Sequence, residues 1–560
     1  MSLDKKDNGV FYTVEGGSSS SDLEFQAPLA TQDEFKLNKD LKTRHISMIA
    51  IGGAIGTGLL LGTSSALTLA GPGSVLIAYS FVGVIVYFVM CALGEMASFI
   101  PLPGNFSDYA ARYCGDSFGF AVGFCYLIKY LIGSAGELVA AALIMQFWVS
   151  AERVNPAVWI AVFGVFFVTV NFFGVKSFGE IEFWLCSLKV LTIVGLIILM
   201  FIIMLGGGPS HDRLGFRYWH DPGAFAPYPH IGSESLAKFV SFWSVLVTAV
   251  FSFMGTELVG IAFSEVKNPR KSIKKSIRIT FYRILLFYIV SVFLLGCCVA
   301  YNDPQLLASQ KGNSDAGASP FVVAISQARI KGLDHLINAC ILIFVLSGYN
   351  SCVYITGRSG YALAVNGYLP KAFAKTTSRG VPIYATALMA LFSCLGFMTC
   401  NQSSSKIFGY FVNVISIFGL ITWMSILFCY IRFHKAVIAQ GFNRDDFYYK
   451  APFQPYASYI AISFCGLVAI TKNFTVFVGG FNWRGFITGY LGIPVFVISF
   501  FGHKLYHRTT MLKPEEVDLV TYKDEVDQAE QFYKAEEANA PKLNYKSWKW
   551  WYDNSLGYLF

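Results

Sequence analysis

Glycine interrupts an apolar stretch of the sequence at a point where a membrane helix would otherwise continue. Residues 251–270 begin as an apolar run, break at Gly255, carry a carboxylate at Glu257 and end in a basic cluster. An interrupted helix exposes backbone N–H and C=O groups that lipid cannot satisfy, so such a break is tolerated only where it lines a cavity. This stretch therefore predicts a polar ligand at membrane depth.

A second interruption lies near the start of the chain, where Gly52, Gly53, Gly56 and Gly58 fall within ISMIAIGGAIGTGLLLG. The alternative explanation for such glycines is packing, because small residues let membrane helices approach closely. The two breaks fall in the first and sixth predicted spans, which matches an inverted five-plus-five repeat whose first helices unwind around a midplane site. We therefore favour binding over packing.

The backbone groups freed at the two breaks have opposite polarity. The half-helix that begins at residues 55–58 presents N–H groups and a positive dipole end, which suit a carboxylate. The unwound carbonyl groups of residues 251–254 suit an ammonium group. A ligand that carries both groups is an α-amino acid. Glycine suits these positions because a side chain would block the approach of the backbone.

Ionisable side chains at membrane depth are costly and by default functional. Lys129 and Glu137 lie in the third predicted span, Lys189 in the fifth and Glu257 in the sixth. Lys129 and Glu137 share one helix face, so they are either functional or a self-neutralising pair. Lys189 is either a proton-coupling group or a tether to backbone carbonyls of the first and eighth spans. Glu257 adjoins the break, which favours a role in the site.

The elements that must position these groups are membrane helices. The chain is 54% hydrophobic and 14% charged, whereas soluble domains are roughly 25% charged. We predict an all-α membrane protein with about twelve transmembrane helices, each near the roughly 20 residues that cross a hydrocarbon core. The predicted spans are residues 46–69, 74–99, 119–148, 157–173, 184–205, 238–264, 279–300, 332–356, 382–400, 408–431, 457–478 and 484–505.

Basic residues cluster before the first predicted span, after the sixth and after the eighth. Positive charge is enriched on cytoplasmic flanks, so both termini are expected in the cytoplasm. We attribute the net charge of +8 to these basic cytoplasmic flanks, and it does not indicate a nucleic-acid partner. The predicted regions are a disordered cytoplasmic tail over 1–44, a ten-helix core over 45–432, helices 11 and 12 over 433–505, and a cytoplasmic tail over 506–560.

The sequence contains no recognisable catalytic, nucleotide-binding or metal-binding motif. We therefore expect no enzymatic activity, no cofactor and no metal. Most of the 12 cysteines lie inside predicted spans, where they pack as small side chains. Lys5 and Lys6 are candidate ubiquitin acceptors for the endocytic machinery, and the alternative is that they are solvated charges of a disordered tail.

Over residues 40–505 the chain resembles the fungal amino-acid permeases of the amino-acid/polyamine/organocation superfamily. The resemblance rests on HISMIAIGGAIGTGLL, YSFVGVIVYFVMCALGEMAS, FSFMGTELVGIAFSEVKNPRKSI and NSCVYITGRSGYALAVNG. Within that family it is most similar to the dicarboxylic amino-acid permeases, through GGGPSHDRLGFRYWHDPGAF and KIFGYFVNVISIFG. This resemblance implies a LeuT-like inverted repeat of ten helices plus two more, and proton-coupled uptake at the plasma membrane.

The resemblance also assigns roles to positions of this chain that match the family. The positions that would hold the substrate carboxylate are Ile55, Gly56, Thr57 and Gly58. Those at the amino group are Phe251, Ser252 and Gly255, with Phe253 as an aromatic gate. The predicted proton-coupling residues are Lys189, Glu257 and Glu137. The eighth span is expected to pack against the first through Ser347, Asn350 and Ser351.

An acidic substrate side chain needs a compensating cation in a low-dielectric site. Lys129 is the candidate, because similar permeases for neutral substrates tend to place an aromatic residue there. Uptake of an anion with one proton is electroneutral, so we expect at least two protons, since the membrane potential contributes about 2.3 kcal/mol per charge per 100 mV. The predicted function is proton-coupled import of glutamate and aspartate. The alternatives are a broad or neutral amino-acid permease and a non-transporting amino-acid sensor.

Overall fold

A computed structural model of the chain describes residues 48, 55–102, 106–229, 231–258, 260, 269–311, 319–400, 403–478 and 480–539. Within these residues the fold is helical, and the one β-type contact is an isolated bridge between Thr376 and Pro382. The predicted tail over 1–44, with Lys5 and Lys6, lies outside the described residues, as do Gly52 and Gly53.

Seventeen α-helices are numbered here in chain order over the described residues. They are α1 Thr63–Phe99, α2 Phe106–Cys114, α3 Asp116–Met145, α4 Pro156–Phe172, α5 Val175–Met204, α6 Glu234–Ser252, α7 Pro269–Arg283, α8 Ser291–Cys298, α9 Pro304–Lys311, α10 Pro320–Gln327, α11 Leu333–Val365, α12 Ile383–Ser393, α13 Ser404–Ala439, α14 Tyr456–Thr471, α15 Trp483–Tyr490, α16 Gly492–His507 and α17 Lys523–Asn539. A π-helical turn, Gly58–Gly62, leads directly into α1, and another, Ile284–Val290, joins α7 to α8.

Nine helical segments of the described chain are long and apolar enough to cross a membrane. The count becomes ten if α15 and α16, which meet at a bend of 46°, form one broken span. The prediction of about twelve spans is therefore not confirmed by this count and stays a prediction. Part of the difference comes from α4, which is apolar but only 17 residues long.

The rest of the difference comes from the predicted spans 1 and 2, which merge into a single segment of 42 residues, Gly58–Phe99. This segment kinks at Gly71, whose φ of +78° lies in the left-handed region that favours glycine. The loop around Ala224 contacts the kink and satisfies its backbone groups. The Gly73 N–H donates to the Ala224 carbonyl at 2.8 Å, and the Ala226 N–H donates to the Ala70 carbonyl at 2.9 Å. A side chain at Gly71 would collide with this loop, because its Cβ would lie 2.8 Å from the Ala224 oxygen.

The helix α3 lies at the centre of the bundle and packs against α11 and α13, while α1 packs against α6. Because α3 is enclosed by other helices, small residues and polar side chains on it face protein rather than lipid. The helix α13 continues to Ala439, so the predicted boundary between residues 432 and 433 falls inside a helix. The described part of the C-terminal tail is docked on the helical domain. Arg270 forms ion pairs with Asp527 and Glu530 of α17 and donates to the Ser98 carbonyl at the end of α1.

Candidate functional site

The sixth predicted span breaks where the sequence indicates. The helix α6 ends at Ser252, residues 253–257 form turns, and helical conformation resumes at Leu258. Gly255 has a φ of +89°, a conformation that residues with a side chain rarely adopt. The predicted break at Gly255 is therefore confirmed, and its cause is the left-handed backbone at this residue.

The start of the first span contacts this break directly. Ile55 and Gly56 are not helical, and Thr57 begins the helical backbone that continues into the π-helical turn from Gly58. A Cβ placed on Gly58 would lie 2.4 Å from the Cα of Ser252, so a side chain has no room between the two breaks. A Cβ placed on Gly56 meets no heavy atom within 4 Å. The glycine at 58 thus permits a close backbone contact, and the one at 56 leaves space open.

A cavity lies between the two breaks, with about 640 Å³ of space free of atoms, including open solvent. Eight of the ten predicted substrate-binding residues line it: Ile55, Gly56, Thr57, Gly58, Lys129, Phe251, Ser252 and Gly255. Among the predicted coupling and helix-contact residues, Glu137, Lys189 and Ser351 also line it. Met254, within the predicted carbonyl stretch 251–254, lines it too, whereas the sequence did not indicate Tyr130, Gly133, Leu258, Gly348, Cys352 and Ile415.

Phe253 does not line this cavity, although it was predicted as an aromatic gate. Its ring is fully buried and stacks on Tyr288 with a centroid distance of 4.3 Å. The turn after Ser252 directs the side chain into the packing between helices. The aromatic residue of this break that does face the cavity is Phe251, which packs against Phe408.

The two buried charges nearest the α6 break form an ion pair. The Lys129 ammonium donates to Oε1 of Glu257, and the Trp423 indole N–H donates to Oε2 at 3.3 Å. The ammonium also lies 5.0 Å from the ring centroid of Tyr130, within the range of a cation–π contact. Lys129 lines the cavity and Glu257 lies behind it, so a ligand in the cavity would meet the cation first.

The alternative pairing of Lys129 with Glu137 does not occur. Oε1 of Glu137 accepts a hydrogen bond from Thr57 Oγ1 at 3.2 Å, which connects α3 to the first break. Oε2 of Glu137 is buried and has no hydrogen-bond partner among the described residues. A Cβ on Gly348 would lie 3.0 Å from this carboxylate, so glycine there leaves room for it. The cavity wall therefore carries a carboxylate oxygen available to a proton or a donor group.

Comparison with known proteins identifies the family of this chain. Residues 45–515 match the family profile described as "Amino acid permease". The chain belongs to the amino-acid permease family. It is 51% identical to the dicarboxylic amino acid permease of Saccharomyces cerevisiae, over all of this chain and 93% of that protein. It is 39% identical to the general amino-acid permease of the same yeast, over 96% of this chain and 89% of that protein.

A proline-specific permease of Emericella nidulans is 40% identical, over 92% of this chain and 94% of that protein. Among solved structures, a crystal structure of a manganese transporter from Eremococcus coleocola superposes with a TM-score of 0.52. That comparison covers 83% of this chain and 93% of the other at 12% identity, so it bears on the fold alone. The likeness confirms the predicted LeuT-like arrangement of the permease. The family and the named relatives are transporters, which is the class that the sequence predicted.

Lys189 of the permease lies in α5 and lines the same cavity. Its side chain is buried, and the ammonium lies 5.9 Å from the ring centroid of Phe344 on α11. The sequence allowed either a coupling role or a structural tether for this residue. Its position on the cavity wall is compatible with both, so the coupling role stays a prediction.

Three polar residues of α11 form hydrogen bonds with a carboxylate of α5. The side chains of Ser347, Asn350 and Ser351 donate to Glu182 at 2.7, 3.1 and 3.3 Å. Their predicted packing against the first span, part of which lies outside the described residues, stays a prediction. The predicted fifth span began at residue 184, whereas α5 begins at Val175, so Glu182 was left outside the membrane helix. Its position two helical turns before Lys189 was the signal that could have found it.

Proposed function

We propose that the permease imports the acidic amino acids glutamate and aspartate together with protons across the plasma membrane, with both termini in the cytoplasm. The observation that carries this proposal is the Lys129 ammonium on the wall of a cavity that also presents groups for a carboxylate and an ammonium. The 51% identity to a protein described as a dicarboxylic amino acid permease supports the same substrate class.

The backbone of the two breaks supplies the groups that every α-amino acid requires. The first N–H groups of a helix generally have no acceptor within that helix, so those near Thr57 and Gly58 suit the α-carboxylate. The carbonyl groups at the end of α6, near Phe251 and Ser252, suit the α-ammonium. These contacts do not distinguish one amino acid from another, so selection depends on side chains of the cavity wall.

Lys129 is the side chain that would select an acidic substrate. Its charge is neutralised by Glu257, so the pair offers no net charge to an incoming carboxylate. Protonation of Glu257 would remove that neutralisation and leave the ammonium for the substrate. Uptake of a proton and binding of an acidic side chain would then favour each other, which is the thermodynamic requirement for coupling.

The charges around the cavity suggest how many protons accompany one substrate. Lys129 and Lys189, which line the cavity, balance Glu137, which also lines it, and Glu257, which pairs with Lys129. Glutamate brings one net negative charge, so one proton restores neutrality. If Glu137 and Glu257 are both protonated, the loaded permease carries one positive charge. An inside-negative potential then favours inward movement of that charge by a free energy of about 2.3 kcal/mol per 100 mV. We therefore assign the two protons to Glu137 and Glu257.

The first test is uptake of radiolabelled glutamate by a permease-deficient yeast cell that expresses this chain, at acidic and at neutral pH. We expect faster uptake at acidic pH, competition by unlabelled aspartate, and little competition by leucine, arginine or proline. Poor glutamate uptake with strong inhibition by leucine or proline would contradict the proposal that the substrates are acidic amino acids. It would not affect the assignment of the chain to the amino-acid permease family. Equal uptake at both pH values would contradict proton coupling.

Lys129→Met tests the selecting residue. Removal of one partner of a buried charge pair costs on the order of 2 kcal/mol or more, which is a loss of roughly 30-fold in affinity for glutamate. Because this change leaves the Glu257 carboxylate uncompensated, a double variant with Glu257→Gln is the better-folded form. We expect the double variant to bind glutamine in preference to glutamate. Lys238→Met, at an exposed lysine near the start of α6, is the control for the same substitution outside the cavity.

Unchanged affinity for glutamate in the Lys129→Met variant, measured on protein with a normal melting temperature, would contradict this assignment. The neutral Lys129–Glu257 pair favours a second candidate, a permease for neutral amino acids. In that case the wild-type protein itself would bind glutamine more tightly than glutamate.

Lys5 and Lys6 lie outside the described residues. Their role as ubiquitin acceptors therefore stays a prediction.

A further inference from the structure

A third carboxylate near the permease cavity, that of Glu182, is buried behind the lining residues and is not part of the proposed substrate site. Oε1 accepts hydrogen bonds from Ser347 Oγ at 2.7 Å, from Ser351 Oγ at 3.3 Å and from Cys186 Sγ at 3.2 Å. Oε2 accepts one from Asn350 Nδ2 at 3.1 Å. The side chain is 0% exposed. All four donors are neutral, so the hydrogen bonds satisfy the oxygens but do not cancel the charge.

The position of Glu182 connects two cavities. Ser351 lines the substrate cavity. On the other side, Asn350 Oδ1 accepts from Asn171 Nδ2 at 2.9 Å. Asn171 and Arg358 line a second cavity, with about 350 Å³ of space free of atoms, including open solvent. The two cavities have no lining residue in common among the described residues. Polar side chains therefore lead from one cavity to the other through the Glu182 carboxylate.

The donors around Glu182 suit both of its protonation states. A serine hydroxyl rotates, so it can donate to a carboxylate and accept from a carboxylic acid. Both serines contact Oε1, whereas Oε2 faces the Asn350 amide, which cannot accept through its nitrogen. A proton on Glu182 would therefore reside on Oε1. The two asparagines hold the orientation of the carboxylate and act as positioning residues.

Other ionisable groups face this site from the elements packed around it. Lys189 and Cys186 lie on the same helix, Cys352 on α11, and Glu137 on α3 across the cavity. The helix α4, which contributes Asn171, has no ionisable side chain in its sequence. A lysine and a carboxylate thus share the cavity from which Glu182 would receive its proton.

We propose that Glu182 is a proton site in the wall between the two cavities, loaded from the substrate cavity through the Ser351 hydroxyl. A hydronium ion in the cavity gives a proton to Ser351 Oγ, and the original hydroxyl proton of Ser351 passes to Oε1 of Glu182. The products are water, an unchanged serine and a neutral carboxylic acid. This inference rests on the proposed proton-coupled uptake. Glu182 is a transit site for one of the two protons assigned to Glu137 and Glu257, so the number of protons per substrate stays two.

The test uses the full-length permease in proteoliposomes, with radiolabelled glutamate and two measurements. Counterflow exchange needs substrate binding and reorientation but no net proton movement, whereas uptake driven by an acidic exterior needs the proton. We expect Glu182→Gln to keep counterflow within about twofold of the wild type and to lose acceleration by the pH gradient. Glu180→Gln changes a partly buried carboxylate two residues away and should keep both activities.

Glu182→Gln with wild-type acceleration by the gradient would overturn the inference while leaving proton-coupled uptake intact. A wild-type protein without acceleration would overturn the proposed coupling, and the inference with it. If Glu182→Gln also loses counterflow, the same two measurements on variants of Ser351 decide the question. Ser351→Ala should lose most of the acceleration and Ser351→Thr, which keeps a hydroxyl, should retain it. Equal behaviour of these two variants would overturn the inference.

Discussion

Gly58→Ala is expected to disrupt substrate binding because the two backbone breaks touch at this residue. The added Cβ would lie 2.4 Å from Cα and 2.8 Å from N of Ser252, whereas ordinary contacts are 3.4–4 Å. The colliding atoms belong to the backbone, so no change of rotamer relieves the clash. The breaks must separate by at least about 1 Å, and a misplacement of that size in a functional site costs on the order of 100-fold.

The assay is equilibrium binding of radiolabelled glutamate to the purified permease, with melting temperature and surface expression measured alongside. Gly195→Ala is the control, because a Cβ at that position meets no heavy atom within 4 Å and alanine favours a helix. We expect normal binding in the control and a loss of about two orders of magnitude for Gly58→Ala. Affinity within threefold of the wild type for Gly58→Ala would refute the close contact between the breaks.

Two further predictions concern the ion pairs of Arg444 with Glu95 and of Arg270 with the C-terminal helix α17. Arg444 donates from Nε to Oε1 of the buried Glu95 at 2.6 Å and from Nη2 to Oε2 at 2.7 Å. Arg444→Ala should therefore cost about 3–5 kcal/mol of stability, seen as a lower melting temperature that Glu95→Gln partly restores. Partial burial raises the pKa of Glu530, but hydrogen bonds from Lys534 and Arg270 outweigh it and leave the pKa below its usual value. Because the pKa of the docked carboxyl group is lowered, the ionised group stabilises docking fully at pH values above its unfolded pKa of about 4.3. That stabilisation is lost as the pH falls through the pKa of the folded state. Protection of α17 from protease should thus stay constant between about pH 7 and pH 5, and a loss of protection in that interval would contradict this ion-pair network.

The sequence predicts the features that depend on local composition. Gly255 sits in an apolar run with Glu257 two residues later, and the structure has a left-handed residue and a turn there. The glycines of the first span predict a site on the same grounds, and the residues from Ile55 to Gly58 do line the cavity. Such positions are predictable because lipid tolerates a helix break only beside a cavity.

The features that depend on packing between distant segments were not predictable in this way. Helix spacing offered Glu137 as the partner of Lys129, yet the ammonium pairs with Glu257, 128 residues away in the sequence. The orientation of Phe253 depends on the turn before Gly255, which periodicity does not describe. Glu182 was missed because apolar periodicity placed the start of its helix nine residues too late, at 184 rather than at Val175.

The most direct test of the proposed binding mode is a structure of the permease with glutamate bound. We expect the α-carboxylate at the N–H groups of residues 55–58, the α-ammonium at the carbonyl groups of Phe251 and Ser252, and the side-chain carboxylate on Lys129. In that complex the Lys129 ammonium should have moved from Glu257 to the substrate. Glutamate bound elsewhere, or bound in this cavity with its side chain away from Lys129, would contradict this binding mode.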